Sequence, residues 1–340
     1  MADFMRMRFV VLLSLAALAL PLRAADGPSL PELYAAVYLK INASEQAERH
    51  GDFAGAEAGF KECYVKLAEI RASDRYWETA LVLHRLQDCK AKIIELQPKA
   101  DAAAAKVNAV PAGATNPAQA QEVLPADVED FFASHPVATT MATWSNHMIY
   151  PWKTDVSSEL IWIGEGDVKS SAWDANWVKD FNGTDTPEER NGYSPAGHAC
   201  GSNPFYVALP FNDLAHPDLA QQWLPRGWAR STRDGKPISA CKDRWVQLKN
   251  ARGDVCYAQW EDAGPKGDDR ASYVFGGDGV GKDEPGIGIS PAVRDYLSLG
   301  EALRLVSWRF VDEADVRPGA WLKLDEQAVM FTAMQGTSAK

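Results

Sequence analysis

The chain has fewer basic residues than acidic ones. Its 340 residues include 35 Lys and Arg against 46 Asp and Glu, which gives a formal net charge of −11. Proteins that hold phosphate backbones or anionic lipid present clustered basic surface. The acidic balance therefore argues against nucleic acid and anionic membranes as partners, and it leaves neutral polymers open.

Long apolar runs are scarce as well. One covers residues 9–20, follows Arg6 and Arg8, and ends just before the small residues Ala24 and Ala25. It is shorter than the roughly 20 residues that span a membrane, and its flanks are typical of a signal peptide. We predict a signal peptide over residues 1–24, a periplasmic or secreted protein, and no membrane span after cleavage.

Cysteine is also rare, with five residues in the whole chain. Exported proteins favour disulfides, and an odd count leaves at least one thiol unpaired. Cys63 and Cys89 lie on successive predicted helices at unequal distances from their turn, which separates them by about 9 Å along the axes. We therefore expect a disulfide between Cys200 and either Cys241 or Cys256.

Residues 30–98 carry the 3.6-residue apolar spacing of helices. A Gly51-Asp52 break separates the first two predicted helices, and Ser73 is the predicted N-cap of a third. Residues 50–60 resemble one degenerate tetratricopeptide (TPR-like) hairpin, although a plain three-helix segment explains the pattern equally well. We interpret this region as a spacer or as a surface that contacts a protein partner.

The chain then changes character. Residues 99–125 have the Ala- and Pro-rich composition of a linker, and residues 127–330 follow as a second domain, with eleven of the twelve tryptophans after the linker. Turn residues punctuate this domain into short predicted strands, at residues 160–163, 205–209, 244–249, 255–261, 273–275 and 306–311. The sequence predicts an α+β multidomain protein with a C-terminal β-barrel, a hairpin turn at residues 250–254, and a short helix capped by Ser290.

The strand at residues 255–261 ends on two acids. Side chains alternate between the faces of a strand, so Glu261 faces one side and Asp262 the other, together with Trp260. A carboxylate at a rigid strand end beside an indole suits acid/base chemistry on sugars. The alternative is an acidic turn that keeps a sheet edge soluble.

Three segments together resemble the double-psi β-barrel of the rare lipoprotein A (RlpA-like) family, which is related to expansins and barwins. Residues 193–211 resemble the family's opening Ala-Cys-Gly turn and Leu-Pro strand. Residues 245–265 are similar to the strand, turn and strand that close on Asp-x-Gly-Pro, and residues 287–292 to its Ile-Asp-Leu-Ser segment. They span about a third of the chain, from roughly residue 190 to 312.

The resemblance implies a groove that binds cell-wall polysaccharide and, in some relatives, lytic transglycosylase activity. Asp262 matches the acid of the Asp-x-Gly-Pro motif. Gly288 stands where the family carries the aspartate of Ile-Asp-Leu-Ser, so this chain lacks one of the two acids. Glu261, Asp295 and Asp213 are candidates to replace it, although Asp295 lies inside a predicted helix, where capping or pairing is the alternative role. A glycan-binding or degenerate enzyme is therefore favoured over an active one.

Five further side chains are candidates for contacting the glycan: His198, Tyr206, Asp213, Trp245 and Trp260. The two tryptophans lie on predicted paired strands, where they form either a stacking platform or part of the core. His198 and Cys200 have no second pair of ligands at zinc spacing, and Lys282 of the glycine-rich loop is not followed by the Ser or Thr of a phosphate-binding loop. We expect no metal and no cofactor.

Three hypotheses remain open at this point. The barrel binds glycan without cleaving it, or it is an active lytic transglycosylase that uses Asp262, or the protein is a non-enzymatic envelope scaffold that acts through residues 30–98. Both glycan hypotheses require Asp262 to face a cleft.

Overall fold

The computed structural model describes residues 27–74, 77–108, 126–135, 150–166, 169–228, 231–233, 235–281, 284–300 and 305–338. The predicted signal peptide and the predicted linker after Asn108 lie outside these described residues. Within them, no helix combines the length and the apolar character that crossing a membrane requires.

Three long helices form the N-terminal layer: α1 (Leu30–Arg49), α2 (Phe53–Ser73) and α3 (Thr79–Asn108). The predicted break between the first two is confirmed. Asp52 caps α2, because its Oδ1 accepts a hydrogen bond from the Gly55 amide at 2.9 Å. These helices share one apolar core, which is separate from that of the barrel.

Two boundaries of this layer differ from the sequence prediction. Ser73 ends α2 instead of capping α3, since its hydroxyl donates to the Ile70 carbonyl at 2.8 Å. Helix α3 continues through Pro98 to Asn108, so the first ten residues of the predicted linker are helical. The alanines that follow Pro98 favour this continuation, because alanine has the highest helix propensity.

The remaining helices are α4 (Ala126–Ser134), α5 (Trp177–Asp180), α6 (Pro217–Trp223), α7 (Ala271–Phe275), α8 (Pro291–Tyr296) and α9 (Ala320–Ser338). The described strands are β1 (Lys153–Leu160), β2 (Arg190–Asn191), β3 (Ser194–Pro195), β4 (Tyr206–Leu209), β5 (Ser231–Arg233), β6 (Lys236–Ile238), β7 (Arg244–Lys249), β8 (Val255–Ala263), β9 (Ile287–Ile289) and β10 (Leu305–Phe310).

Six of these strands close into a barrel in the order β1–β10–β7–β8–β4–β9. The β1–β9 and β4–β8 pairs are parallel, and the other described pairs of the barrel are antiparallel. Closure satisfies the hydrogen-bonding groups that a strand at a sheet edge leaves free. The predicted α+β fold with a C-terminal β-barrel is confirmed at this level.

Most strand predictions hold. β7 agrees residue for residue, β4, β8 and β10 agree within two residues, and the turn at residues 250–254 joins β7 to β8. Ser290 caps α8 as predicted, because its Oγ accepts from the Val293 amide. The strand predicted at 160–163 is wrong, since β1 ends at Leu160. The strand predicted at 273–275 is also wrong, because Tyr273 and Val274 bond to the Arg270 carbonyl within a helical turn.

Helix α9 connects the two cores. Trp321 and Leu322 pack in the barrel core, whereas Val329, two turns later, packs in the core of the helical layer. Ala80 of α3 also reaches the barrel core. The helical layer and the barrel therefore share α9 and do not meet only through a tether.

The predicted disulfide is not formed. All five cysteines are free and buried. Cys241 and Cys256 pack in the barrel core, whereas Cys200 packs in a separate cluster with Trp177 and Phe181. The candidate partners therefore lie in different packed clusters, where each thiol acts as a small apolar side chain.

Candidate functional site

Strand pairing brings the two motif positions of the barrel close together. Ala208 on β4 pairs with Asp262 on β8 and with Gly288 on β9, and Gly288 pairs with Glu159 on β1. Paired residues on adjacent strands point to the same side of a sheet. The residues on either side of Ala208 pack in the barrel core, so Glu159, Gly288, Ala208 and Asp262 form a row on the outer surface. We call this the outer row.

The Asp262 carboxylate is held at one oxygen. Its Oδ1 accepts from the main-chain amides of Ala172 at 2.7 Å and Ala263 at 2.8 Å. Burial raises the pKa of Asp262 to about 6, against the lowering effect of the two amides. A half-buried carboxyl group with this pKa can donate or accept a proton near neutral pH.

The outer row is partly covered. The connection from β1 to β4 runs over it, and we call residues 161–183, of which 167–168 are not described, the cover. Its buried side chains Ile163, Trp177 and Phe181 pack on Tyr206 of β4. Beside Asp262 the cover presents Trp173, whose ring meets that of Trp260 edge-on with centroids 5.5 Å apart. The outer face is therefore not an open groove along its whole length, and the described residues that line the two prominent cavities do not include Asp262.

The cover also fills the space beside Gly288. A Cβ at this position would lie 2.9 Å from Ile161 Cδ1 and 3.2 Å from the Cβ of Ala208. Such distances are shorter than van der Waals contact, so Ile161 would have to move. The aspartate that the family carries here has no room in this packing.

Glu261 lies in a different environment from Asp262. The register between β4 and β8 shifts at Glu261, since Val207 pairs with Trp260 and Ala208 with Asp262. Lys242 Nζ lies 2.8 Å from Glu261 Oε2 and 2.8 Å from Asp243 Oδ1. Burial raises the pKa of Glu261 well above its ordinary value, although the Lys242 ammonium acts to lower it.

The predicted tryptophan platform is wrong. Trp245 is 3% exposed and Trp260 is fully buried, and both pack in the barrel core. Their strands pair as predicted, with Trp245 opposite Gln259. Because Trp245 pairs with Gln259, it points to the opposite side of the sheet from Trp260, and both rings are buried, so neither indole offers a face to a sugar.

Tyr206 and Asp213 are buried and bonded within the protein. The Tyr206 hydroxyl donates to Asp185 Oδ2 at 3.0 Å and accepts from the Ile163 amide at 3.0 Å. Asp213 accepts from the Ser239 hydroxyl at 2.6 Å and from the Ala240 amide at 2.8 Å. Both side chains therefore stabilise the neighbouring loops through these hydrogen bonds.

His198 lines a cavity of about 470 Å³ between the loop at residues 194–200 and α9. Cys200 and Gln327 also line it. The imidazole stacks edge-on to Phe181 at 6.0 Å and lies against Gly183, where a Cβ would come within 2.7 Å of Nε2. The cavity and Asp262 are lined by different residues, so the structure does not unite these two predicted site residues.

A buried ionic network next to Tyr206 was not predicted from the sequence. Asp185, which is fully buried, pairs with Arg190. Burial raises the pKa of Asp185 to about 6, whereas Arg190 and Tyr206 act to lower it. Asp185 lies outside the helices and strands and Arg190 in the two-residue strand β2, so neither has a periodic pattern around it. Within the described ranges, no group of three or more His, Cys, Asp or Glu side chains is arranged to hold a metal ion.

A scan against protein-family models and searches of curated proteins and of solved structures found no match. The function is therefore inferred from the sequence motifs and from the geometry of the outer row.

Proposed function

We propose that this is an exported protein, periplasmic or secreted, whose double-psi, RlpA-like barrel binds cell-wall glycan and is a degenerate lytic transglycosylase. The outer row carries the proposal. Asp262 and Gly288 are far apart in sequence and belong to two separate motifs of the resemblance, yet they flank the same residue, Ala208. This is the relation expected of two positions that serve one site.

Loss of catalysis follows from the occupants of that row. Cleavage needs an acid that protonates the glycosidic oxygen and a base that assists closure of the sugar ring. Asp262 provides one carboxyl group, and Ile161 fills the space of the second at Gly288. Glu159 lies three strands from Asp262, which is half-way round a six-stranded barrel, so the two outward side chains point away from each other and cannot flank one glycosidic bond.

Glycan contact is best placed at the margin of the cover beside Asp262. The indole of Trp173 is half-buried, and its Nε1 donates to Asn212 Oδ1 at 3.3 Å. An indole with one free portion and neighbouring polar groups suits a sugar ring, which presents both C–H faces and hydroxyls. A neutral polymer is also compatible with the acidic surface.

Retention on insoluble peptidoglycan tests binding. We expect the wild-type protein to sediment with the polymer at low salt, and Trp173→Ala to reduce retention about tenfold, as when a stacking contact is lost. Trp152→Ala is the matched control, since this half-buried indole lies between Lys249 and Arg309, away from Asp262. Absence of retention with folded wild-type protein would remove the proposal.

Release of anhydro-muropeptides separates binding from cleavage. We expect no release by the wild type. The variant Asp262→Asn keeps an oxygen that can accept from the Ala172 and Ala263 amides, so it should remain folded. Release by the wild type that disappears in this variant would instead establish the active lytic transglycosylase.

A further inference from the structure

Two neighbouring acids on α9, Asp325 and Glu326, contact groups of opposite charge type: one an acid, the other a base. Glu326 accepts from Arg85 at 2.6 Å and from the Tyr34 hydroxyl at 2.8 Å, so its charge is compensated. Asp325 is 2% exposed and contacts the carboxyl group of Glu78, just before α3. Glu326 thus joins α9 to the helical layer through a cation and a hydroxyl, whereas Asp325 contacts another acid, Glu78.

The contact between Glu78 and Asp325 has no cation of its own among the described residues. Glu78 Oε2 and Asp325 Oδ2 are buried without a hydrogen-bond partner. The ammonium of Lys242 acts on Glu78. It is already engaged by Asp243 and Glu261, at 2.8 Å each.

The other charged groups around this contact add little positive charge. Arg244 of β7 is paired with Glu313 at 3.2 Å. Asp180 of the cover, which interacts with Asp174, also feels the charge of Lys242 and adds negative charge. The acids around Glu78 and Asp325 therefore outnumber the described cations, Lys242 and Arg244.

Two ionised carboxylates cannot share a hydrogen bond, and neighbouring like charges repel strongly in a buried site. The contact therefore requires a proton. We propose that Glu78 and Asp325 form a proton-dependent clasp between α3 and α9, which is closed while the pair holds a proton and open when both carboxyl groups are ionised.

The position of the clasp gives it structural consequences. Glu78 has a φ of 42°, in the left-handed region that residues other than glycine rarely adopt. Ala80 reaches the barrel core, and Leu81 the core of the helical layer. Repulsion between Glu78 and Asp325 would act where both helices pass between the two cores.

The pH range follows from the direction of the shifts. Burial, followed by the charge of Asp243, raises the pKa of Glu78 to about 7, from an ordinary 4.5. Burial and Glu78 raise the pKa of Asp325 well above its ordinary value. The folded protein therefore binds these protons more tightly than the unfolded chain. Stability from the clasp is complete below about pH 4.5 and declines as the pH rises through about 7, where Glu78 loses its proton, while Asp325 keeps the last proton to higher pH.

Hydrogen exchange of the full-length protein tests the clasp, because protection factors report local opening. We expect protection of the α9 amides in the wild type to fall at least about tenfold between pH 5.5 and 8, the equivalent of one pKa unit. Glu78→Gln and Asp325→Asn replace an acid by an amide that bonds without an added proton. In both variants the fall should be less than about threefold.

The matched control is Glu326→Gln, which weakens the adjacent pair with Arg85. It should lower protection at both pH values and leave the pH-dependent fall in place. The clasp is refuted if wild-type protection is the same at pH 5.5 and 8, or if both amide variants show the full wild-type fall. Thermal midpoints at the same two pH values give a second readout for any variant that folds less well.

Discussion

At the scale of single residues, position 288 shows how packing decides what a site can hold. The sequence identifies Gly288 as a departure from the family motif, but it does not show what occupies the space. Ile161 lies there because the chain just after β1 stays paired with β9, its amide donating to the Ile289 carbonyl at 3.0 Å, and the contact joins residues that are far apart along the chain.

We predict that Gly288→Asp destabilises the protein by about 1–3 kcal/mol, since the new side chain overpacks a filled space and its carboxylate lacks a partner. Urea denaturation measures the change. Adding Ile161→Ala should recover part of the loss by making room. Gly279→Asp is the control, because a Cβ there meets nothing within 4 Å. A denaturation midpoint of Gly288→Asp equal to that of the wild type would contradict this packing argument.

The same scale shows what alternation can and cannot predict. It separates Glu261 from Asp262, and the structure places the two acids in different surroundings. Its prediction that Asp262 shares a face with Trp260 is wrong, because the register of β8 shifts at Glu261 and puts Trp260 in the core and Asp262 on the outer row. It does not distinguish a core tryptophan from an exposed one, because Trp245 and Trp260 have the same spacing in either case. The inner face of the barrel is defined only when all six strands close.

At the scale of elements, strands with their own pattern are predictable and irregular ones are not. β7 and β8 flank the clear turn at residues 250–254 and were predicted closely. β1 is polar in sequence, and its register with β10 shifts between Lys153 and Val156, where Asp155 has a φ of 53°. This bulge interrupts the alternation, so the strand has no clear signal. β9 has only three residues. The Ile-Asp-Leu-Ser resemblance pointed to this segment, but it did not predict a strand there.

Helix α9 depends on one aromatic anchor. The ring of Trp321 packs against Phe205, Tyr257 and Tyr296, with centroids 5.1–6.0 Å apart, and its Nε1 donates to the Arg317 carbonyl at 2.7 Å. It is 3% exposed. The anchor fixes the start of α9 on the barrel, whereas the second half of the helix packs on the helical layer.

We predict that Trp321→Ala lowers the free energy of unfolding by about 3–5 kcal/mol, the usual cost of removing a buried aromatic side chain. Urea denaturation gives the value. Met334→Ala on the same helix is the control, because Met334 is 59% exposed and such surface changes stay within about 0.5 kcal/mol. Equal effects of the two substitutions would show that Trp321 is not an anchor.

At the scale of the whole molecule, composition indicates a helical region and a barrel but not how they join. The change in tryptophan content and the Ala- and Pro-rich stretch are local signals, and they suggest two units on a tether. The contacts of α9 with α1 and α3 join segments more than 200 residues apart, and no local pattern reports such pairs. Binding of a protein partner through residues 30–98 stays a prediction.

The shared helix predicts how the molecule unfolds. Leu322 and Val329 lie on one helix but in two different cores, so neither core can lose α9 without exposing apolar surface of the other. We expect a single thermal transition with equal calorimetric and van't Hoff enthalpies, as for one cooperative unit. A fragment that starts at residue 126 should fail to reproduce this transition, because it removes Arg85 and Tyr34 and leaves the Glu326 carboxylate without its cation and hydroxyl. Two resolved transitions, or a fragment that melts at the temperature of the intact protein, would show that the barrel folds independently of the helical layer.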